Sequence, residues 1–101
     1  MAYSHPDFEL ALATVAGDDL ALRNELRDSF RESLNNQIDL LRRSRCDGNW
    51  RMAAERIKGL GASFHAARLV ALAEEALDGA PGDPAIIRKL NLFSREFSAD
   101  S

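Results

Sequence analysis

Residues 53 to 69 read AAERIKGLGASFHAARL, a helical pattern with two glycines, Gly59 and Gly61, set into its middle. A glycine inside an exposed helix costs about 1 kcal/mol relative to alanine, because it loses more backbone freedom on folding and packs nothing. Two of them so close together ask for a steric reason: something passes where a side chain would stand. With about 100° of rotation per residue and Ile57 taken as zero, Trp50, Ala53, Leu60, Gly61 and Phe64 fall within roughly 60° of Ile57. Gly61 therefore belongs to the core side, where it permits close approach of a neighbouring helix. Gly48, Met52, Glu55, Gly59 and Ala62 fall within about 40° of the opposite pole, an outward face of small residues around one carboxylate. At Gly59, one turn beyond Glu55, the missing side chain opens a path from solvent to position 55.

Helical periodicity extends both ways from this stretch. After Gly17 and the capping candidates Asp18 and Asp19, the residues Leu22, Leu26, Phe30, Leu34, Ile38 and Leu41 recur at steps of four or three. They predict one long amphipathic helix ending near Cys46, with Asp47-Gly48 as its stop. Trp50, Ala53, Ile57, Leu60 and Phe64, and then Leu69, Leu72, Ala73, Ala76 and Leu77 up to Gly79, predict two more. The segment DGAPGDP is the clearest loop, with Asp83 placed to cap and Pro84 to fill the first turn of a last helix carrying Ile86, Leu90, Phe93 and Phe97. Ahead of all this, SHPDFELALATV reads as a short leading helix. Valine, isoleucine and threonine together number only seven, and no segment alternates apolar with polar residues over strand length, so a sheet has no support. Short connections favour antiparallel neighbours. The predicted fold is all-α, an up-down-up-down antiparallel four-helix bundle with a short extra N-terminal helix.

At 101 residues and 46% hydrophobic, the chain fits a single domain, residues 1–101, around one core. Its formal net charge of -3 argues against nucleic acid as partner, since phosphate binding shows as an excess of Lys and Arg. The longest apolar run, Leu69 to Ala73, is too short to cross a bilayer, and the N-terminus lacks the basic and apolar regions of an export signal. A cytoplasmic protein with no membrane partner is expected. The single cysteine, Cys46, forms neither an internal disulfide nor a structural zinc site and has no histidine at an informative spacing. No metal-ligand cluster, glycine-rich phosphate loop or nucleophile motif is present, so neither a metal, a cofactor nor an enzymatic activity is expected.

Charge is unevenly spread. Residues 42 to 58 hold six basic side chains (Arg42, Arg43, Arg45, Arg51, Arg56 and Lys58) against two acidic ones, Asp47 and Glu55. The arginines at 42, 43 and 45 suit a solvated helix end against the C-terminal dipole better than a nucleic-acid site. The run ERIKGLGASFHAARLVALAEEAL resembles the signature of histidine-containing phosphotransfer (HPt) domains, which reads H-x-L-K-G, then a glycine six residues on, then a leucine-rich helix. Ile57, Lys58 and Gly59 match it. Phe30 falls where the family's long helix has a core aromatic, DGNW resembles the turn before the motif helix, and the likeness spans about residues 18 to 80. The resemblance implies a four-helix bundle that exchanges phosphoryl groups with response-regulator receiver domains.

Two departures change that implication. Glu55 occupies the position of the phosphoacceptor histidine, and His65 occupies that of the later glycine. A neutral imidazole nitrogen can attack an aspartyl phosphate and yield a transferable phosphoramidate. A carboxylate would give another mixed anhydride, and its standing charge repels the incoming group. The resemblance thus implies a module that has lost phosphotransfer and kept its docking surface for a receiver domain or histidine kinase, formed by Arg51, Met52, Arg56, Lys58, Gly59 and Ala62 around Glu55. Read alone, Glu55 is a solvated helix residue paired with Arg51. His65 is the alternative phosphoacceptor; about 80° from the core centre and near a helix junction, it also reads as a capping or packing residue. His5 lies in a terminus. A self-associating bundle, with the bare face packed on a second copy as a homodimer, is the remaining alternative.

Overall fold

The computed structural model of the protein describes residues 6–99, with side-chain surroundings over 8–96. His5 and the Phe97 side chain lie outside the described residues. Five helices follow in order: α1 (Pro6–Ala16), α2 (Leu20–Arg43), α3 (Asp47–Ser63), α4 (Ala67–Asp78) and α5 (Pro84–Ala99). The described residues contain no strand, so the all-α expectation holds. α2 packs on α3 and α5, α4 packs on the same two, and α1 lies against α2.

Each helix boundary has a local cause. Gly17, at φ 60°, ends α1 by donating to the Ala13 carbonyl at 2.8 Å, a left-handed turn that glycine adopts freely. The Asp19 carboxylate then accepts from the Leu22 N–H at 3.0 Å and caps α2 as expected. Asp83 does the same for α5, accepting from Ala85 N–H at 2.9 Å, with Pro84 in the first turn. One boundary differs from expectation. α2 stops at Arg43, where Ser44 donates its N–H to the Leu41 carbonyl at 3.1 Å and its hydroxyl to Leu40 at 2.8 Å. Asp47 and Gly48 are the first turn of α3, not the end of α2. A carboxylate is favourable at the positive end of the helix dipole, so Asp47 suits a start as well as a turn.

The stripes predicted for the core are buried: Phe30, Leu34, Ile38 and Leu41 from α2, Trp50, Ala53 and Ile57 from α3, Leu69, Leu72, Ala73 and Ala76 from α4, and Ile86, Leu90 and Phe93 from α5. Leu26, Leu60, Phe64 and Leu77 are half-buried against that core, and Leu22 lies exposed at the edge of its stripe. α1 is a working part of the core, because Phe8 and Leu12 are buried. Phe8, Phe30 and Phe64 form an aromatic triangle with centroid separations of 5.0, 4.9 and 5.5 Å, spacings at which ring edges and faces attract. Arg27 fastens α1 from outside, with both Glu9 oxygens at 2.6 Å from one guanidinium nitrogen.

Candidate functional site

The quoted stretch is two helices. α3 ends at Ser63, and the chain turns through Phe64, His65 and Ala66 before α4 begins at Ala67. His65 N–H donates to Ala62 O at 3.2 Å and Ala66 N–H to Gly61 O at 2.7 Å, the paired closing bonds of a helix whose next residue is left-handed. That residue is His65, at φ 56°. Glycine holds this position at lower cost, since a side chain in the left-handed region crowds the following carbonyl. The backbone at 65 thus has the conformation that a glycine suits, with a histidine in it.

The two glycines of α3 separate cleanly. At Gly61, which is buried, an added Cβ would stand 3.0 Å from Val70 Cγ2, 3.1 Å from Val70 N and 3.3 Å from Ala66 O. Gly61 is small because the start of α4 crosses it. At Gly59 an added Cβ would meet nothing within 4 Å, and the φ is not positive. Neither crowding within the chain nor backbone conformation calls for glycine there.

Around Gly59 the outward face is as the helical rotation predicts. Gly48, Arg51, Met52, Glu55, Arg56 and Ala62 are all exposed, Met52 at 51%. Glu55 makes no side-chain hydrogen bond or ion pair among the described residues, so the pairing with Arg51 is absent. Lys58 is half-buried and turned away, 3.5 Å from Glu74 on α4. Arg42 and Arg43 both pair with Asp39. Their proximity, the Arg42 hydrogen bond first, holds the Asp39 carboxyl below its ordinary value of 3.8. Of the six basic residues, Arg45, Arg51 and Arg56 remain exposed without an ion pair among the described residues. The patch is smaller than the sequence suggests, and it lies on α3 and the turn before it.

His65 belongs to a different place. It lines a shallow depression of about 280 Å³ with Leu10, Ala11, Thr14, Val15 and Ser63, between α1 and the end of α3. No lysine or arginine lines that depression to receive a phosphoryl group's charge. Eight residues of helix, roughly 12 Å, separate Glu55 from Ser63 at its rim. Among the described residues no group of His, Cys, Asp and Glu could hold a metal ion, and no helix is long and apolar enough to cross a membrane.

Two participants escaped sequence reasoning. Glu74, which fixes Lys58, lies on another helix, where sequence spacing has no reach. Ala54, buried beside Glu55, was masked by its small apolar side chain, which fits either environment. No family model, curated protein or solved structure matches the chain.

Proposed function

We propose that the protein is a docking module of HPt type, an antiparallel up-down-up-down bundle that binds a response-regulator receiver domain or a histidine kinase through the outward face of α3. It acts in the cytoplasm by occupying its partner, and it accepts no phosphoryl group, because Glu55 stands at the acceptor position. The observation that carries this reading is Gly59. A residue that costs about 1 kcal/mol in a helix, with no neighbour inside the chain to explain it, finds its reason in a neighbour outside the chain. The short links at 44–46, 64–66 and 79–83 support antiparallel order for α2 to α5. Arg51 and Arg56, exposed and unpaired, supply a positive rim for an acidic partner surface.

The test is a titration of purified receiver domains and kinase cores from the same genome against wild type and Arg51→Glu. One of them should bind wild type, and Arg51→Glu should slow association by an amount that shrinks as salt rises, because exposed charges are screened within about 8 Å at physiological ionic strength. Failure of every receiver and kinase to bind, or indifference of binding to Arg51→Glu, overturns the proposal.

A further inference from the structure

α1 and α2 carry one apolar stripe, folded back on itself at residues 17–19. At about 100° per residue, a helix running unbroken through those residues would gather Phe8, Leu12, Val15, Leu22, Leu26 and Phe30 into one arc of about 80°. The chain instead bends there. Gly17, at φ 60°, donates its N–H to Ala13 O at 2.8 Å, Asp19 N–H donates to Ala16 O at 3.1 Å, and Arg23 Nε–H donates to Gly17 O at 2.8 Å. The Asp19 carboxylate caps the new helix at Leu22 N–H, 3.0 Å away. The bend lays α1 on α2 and buries Phe8 and Leu12, with Phe8 against Phe30 and Phe64, and Glu9 on Arg27. It leaves the middle of the stripe outside, since Val15 is 71% exposed and Leu22 36%. Both belong by rotation to a stripe from which the bend removes them.

We propose that residues 17–19 are a hinge and that α1 is exchanged between two copies of this chain. With the hinge straight, α1 and α2 form one helix over 6–43, about 57 Å long, and α1 no longer reaches its own seat beside Phe30 and Phe64. The same segment of a second copy fits that seat, because it brings Phe8, Leu12 and Glu9 to the same Phe30, Phe64 and Arg27. Exchange in both directions gives a closed twofold dimer in which each seat regains its contacts with α1. The two straightened segments run antiparallel where they cross, and there Val15 and Leu22 of each copy find apolar cover. Two residues guard the monomer. Gly17 takes the left-handed bend at little cost and is a poor helix residue, so it favours the fold-back on both counts. Asp19 caps α2 in the bent chain and, in the straight one, would put a charge inside the apolar arc. The balance is therefore set at the hinge and by concentration, because the seat is the same in both forms. The exchange involves α1, α2 and the 64–66 turn, and it does not use the outward face of α3.

The test is sedimentation velocity with native mass spectrometry on the full chain, from micromolar to millimolar concentration. Wild type should pass from monomer to dimer as concentration rises. Gly17→Ala should dimerise about 100-fold more tightly, roughly tenfold for each of two hinges, since alanine resists the left-handed bend and suits the straight helix. Asp19→Ala, which removes the cap and the charge, should act in the same direction. Adding Val15→Asp to Gly17→Ala should restore the monomer, while Val15→Asp alone melts as wild type because the site is exposed in the bent chain. Exchange is distinguished from surface contact by mixing Glu9→Arg with Arg27→Glu, each in the Gly17→Ala chain, and refolding them together from urea. Within either chain the two like charges repel, whereas exchange between the two chains restores both pairs. Heterodimers should therefore exceed the statistical share and melt above either homodimer. If Gly17→Ala does not fold, the same mixing in the Asp19→Ala chain decides. Hinge variants that stay monomeric at millimolar concentration overturn the proposal. A dimer whose charge variants assort at random overturns the exchange and leaves two copies joined at their surfaces.

Discussion

Gly59→Ala and Gly61→Ala should move the stability of this protein in opposite directions, although the sites share one helix and are separated by a single residue. Replacing glycine by alanine in a helix contributes up to about 1 kcal/mol at either site, because alanine has less freedom to lose. At position 59 nothing subtracts from that gain, since beyond its own turn of helix no atom of the described residues lies within 4 Å of the added carbon. At position 61 the carbon would be pressed to 3.0 Å from Val70 Cγ2, 3.1 Å from Val70 N and 3.3 Å from Ala66 O. The last two are joined to each other, Val70 N–H donating to Ala66 O at 3.1 Å, so the first turn of α4 would have to move as a unit. Overpacking of that kind costs about 1 to 3 kcal/mol, which leaves a net loss of up to about 2 kcal/mol after the intrinsic gain. In a domain of this size 1 kcal/mol corresponds to about 4 °C in Tm. Thermal and urea unfolding should show Gly59→Ala about 4 °C above wild type and Gly61→Ala as much as 8 °C below it. The bulkier Gly59→Leu should fold and yet weaken the partner complex by about 1 to 3 kcal/mol. A Gly61→Ala protein more stable than wild type, or a destabilised Gly59→Ala, would refute the assignment of inner and outer faces. Normal binding by Gly59→Leu would remove the reason given for that glycine.

Incubation with a phosphorylated receiver should leave the wild-type protein unlabelled, and stoichiometric label abolished by His65→Gln would instead make His65 the acceptor. Glu55→His should keep stability within about 0.5 kcal/mol of wild type and gain slow, acid-labile labelling from a cognate donor; unfolding of the variant would mean that position 55 is not free surface. His65→Gly should raise stability by roughly 1 kcal/mol, as the left-handed backbone is relieved of its side chain and part of that gain returns through a freer unfolded chain; a loss would show that the imidazole itself holds the turn. The Asp39 carboxyl, held low by Arg42 and Arg43, stabilises the fold above its unfolded value and loses that contribution as pH falls through its lower folded value. Asp39→Asn should therefore melt below wild type at neutral pH, with the gap closing as pH drops below 3.8. A gap independent of pH would assign the loss to something other than charge.

Much of the helical fold can be read from spacing, since burial at intervals of three and four is a property of one helix and needs no knowledge of its neighbours. The inward set of α3, the caps at Asp19 and Asp83 and the opposite placements of Gly59 and Gly61 are of that kind. What spacing misses depends on choices between local rules that point both ways. Asp47-Gly48 serves equally as a stop or a first turn, and only the earlier closure at Ser44 decides between them. His65 carries no local preference strong enough to announce a left-handed residue, so the break within the 53–69 stretch shows only in the backbone. The basic patch looks larger in sequence than in space because Asp39, one turn before Arg42 and Arg43, and Glu74, on another helix, pair with three of its six members.

The single tryptophan has a further use. Trp50 is buried at 3% exposure, and its indole N–H donates to the Ala76 carbonyl at 2.7 Å, tying α3 to α4 on the side of α3 opposite Glu55. The protein thereby contains a built-in fluorophore whose emission reports whether these two helices are joined, and which a ligand seated on the far side of α3 does not touch. Intensity and colour should follow denaturation faithfully while remaining silent during complex formation, so optical unfolding curves can be recorded with a tryptophan-free partner present and still describe this chain alone.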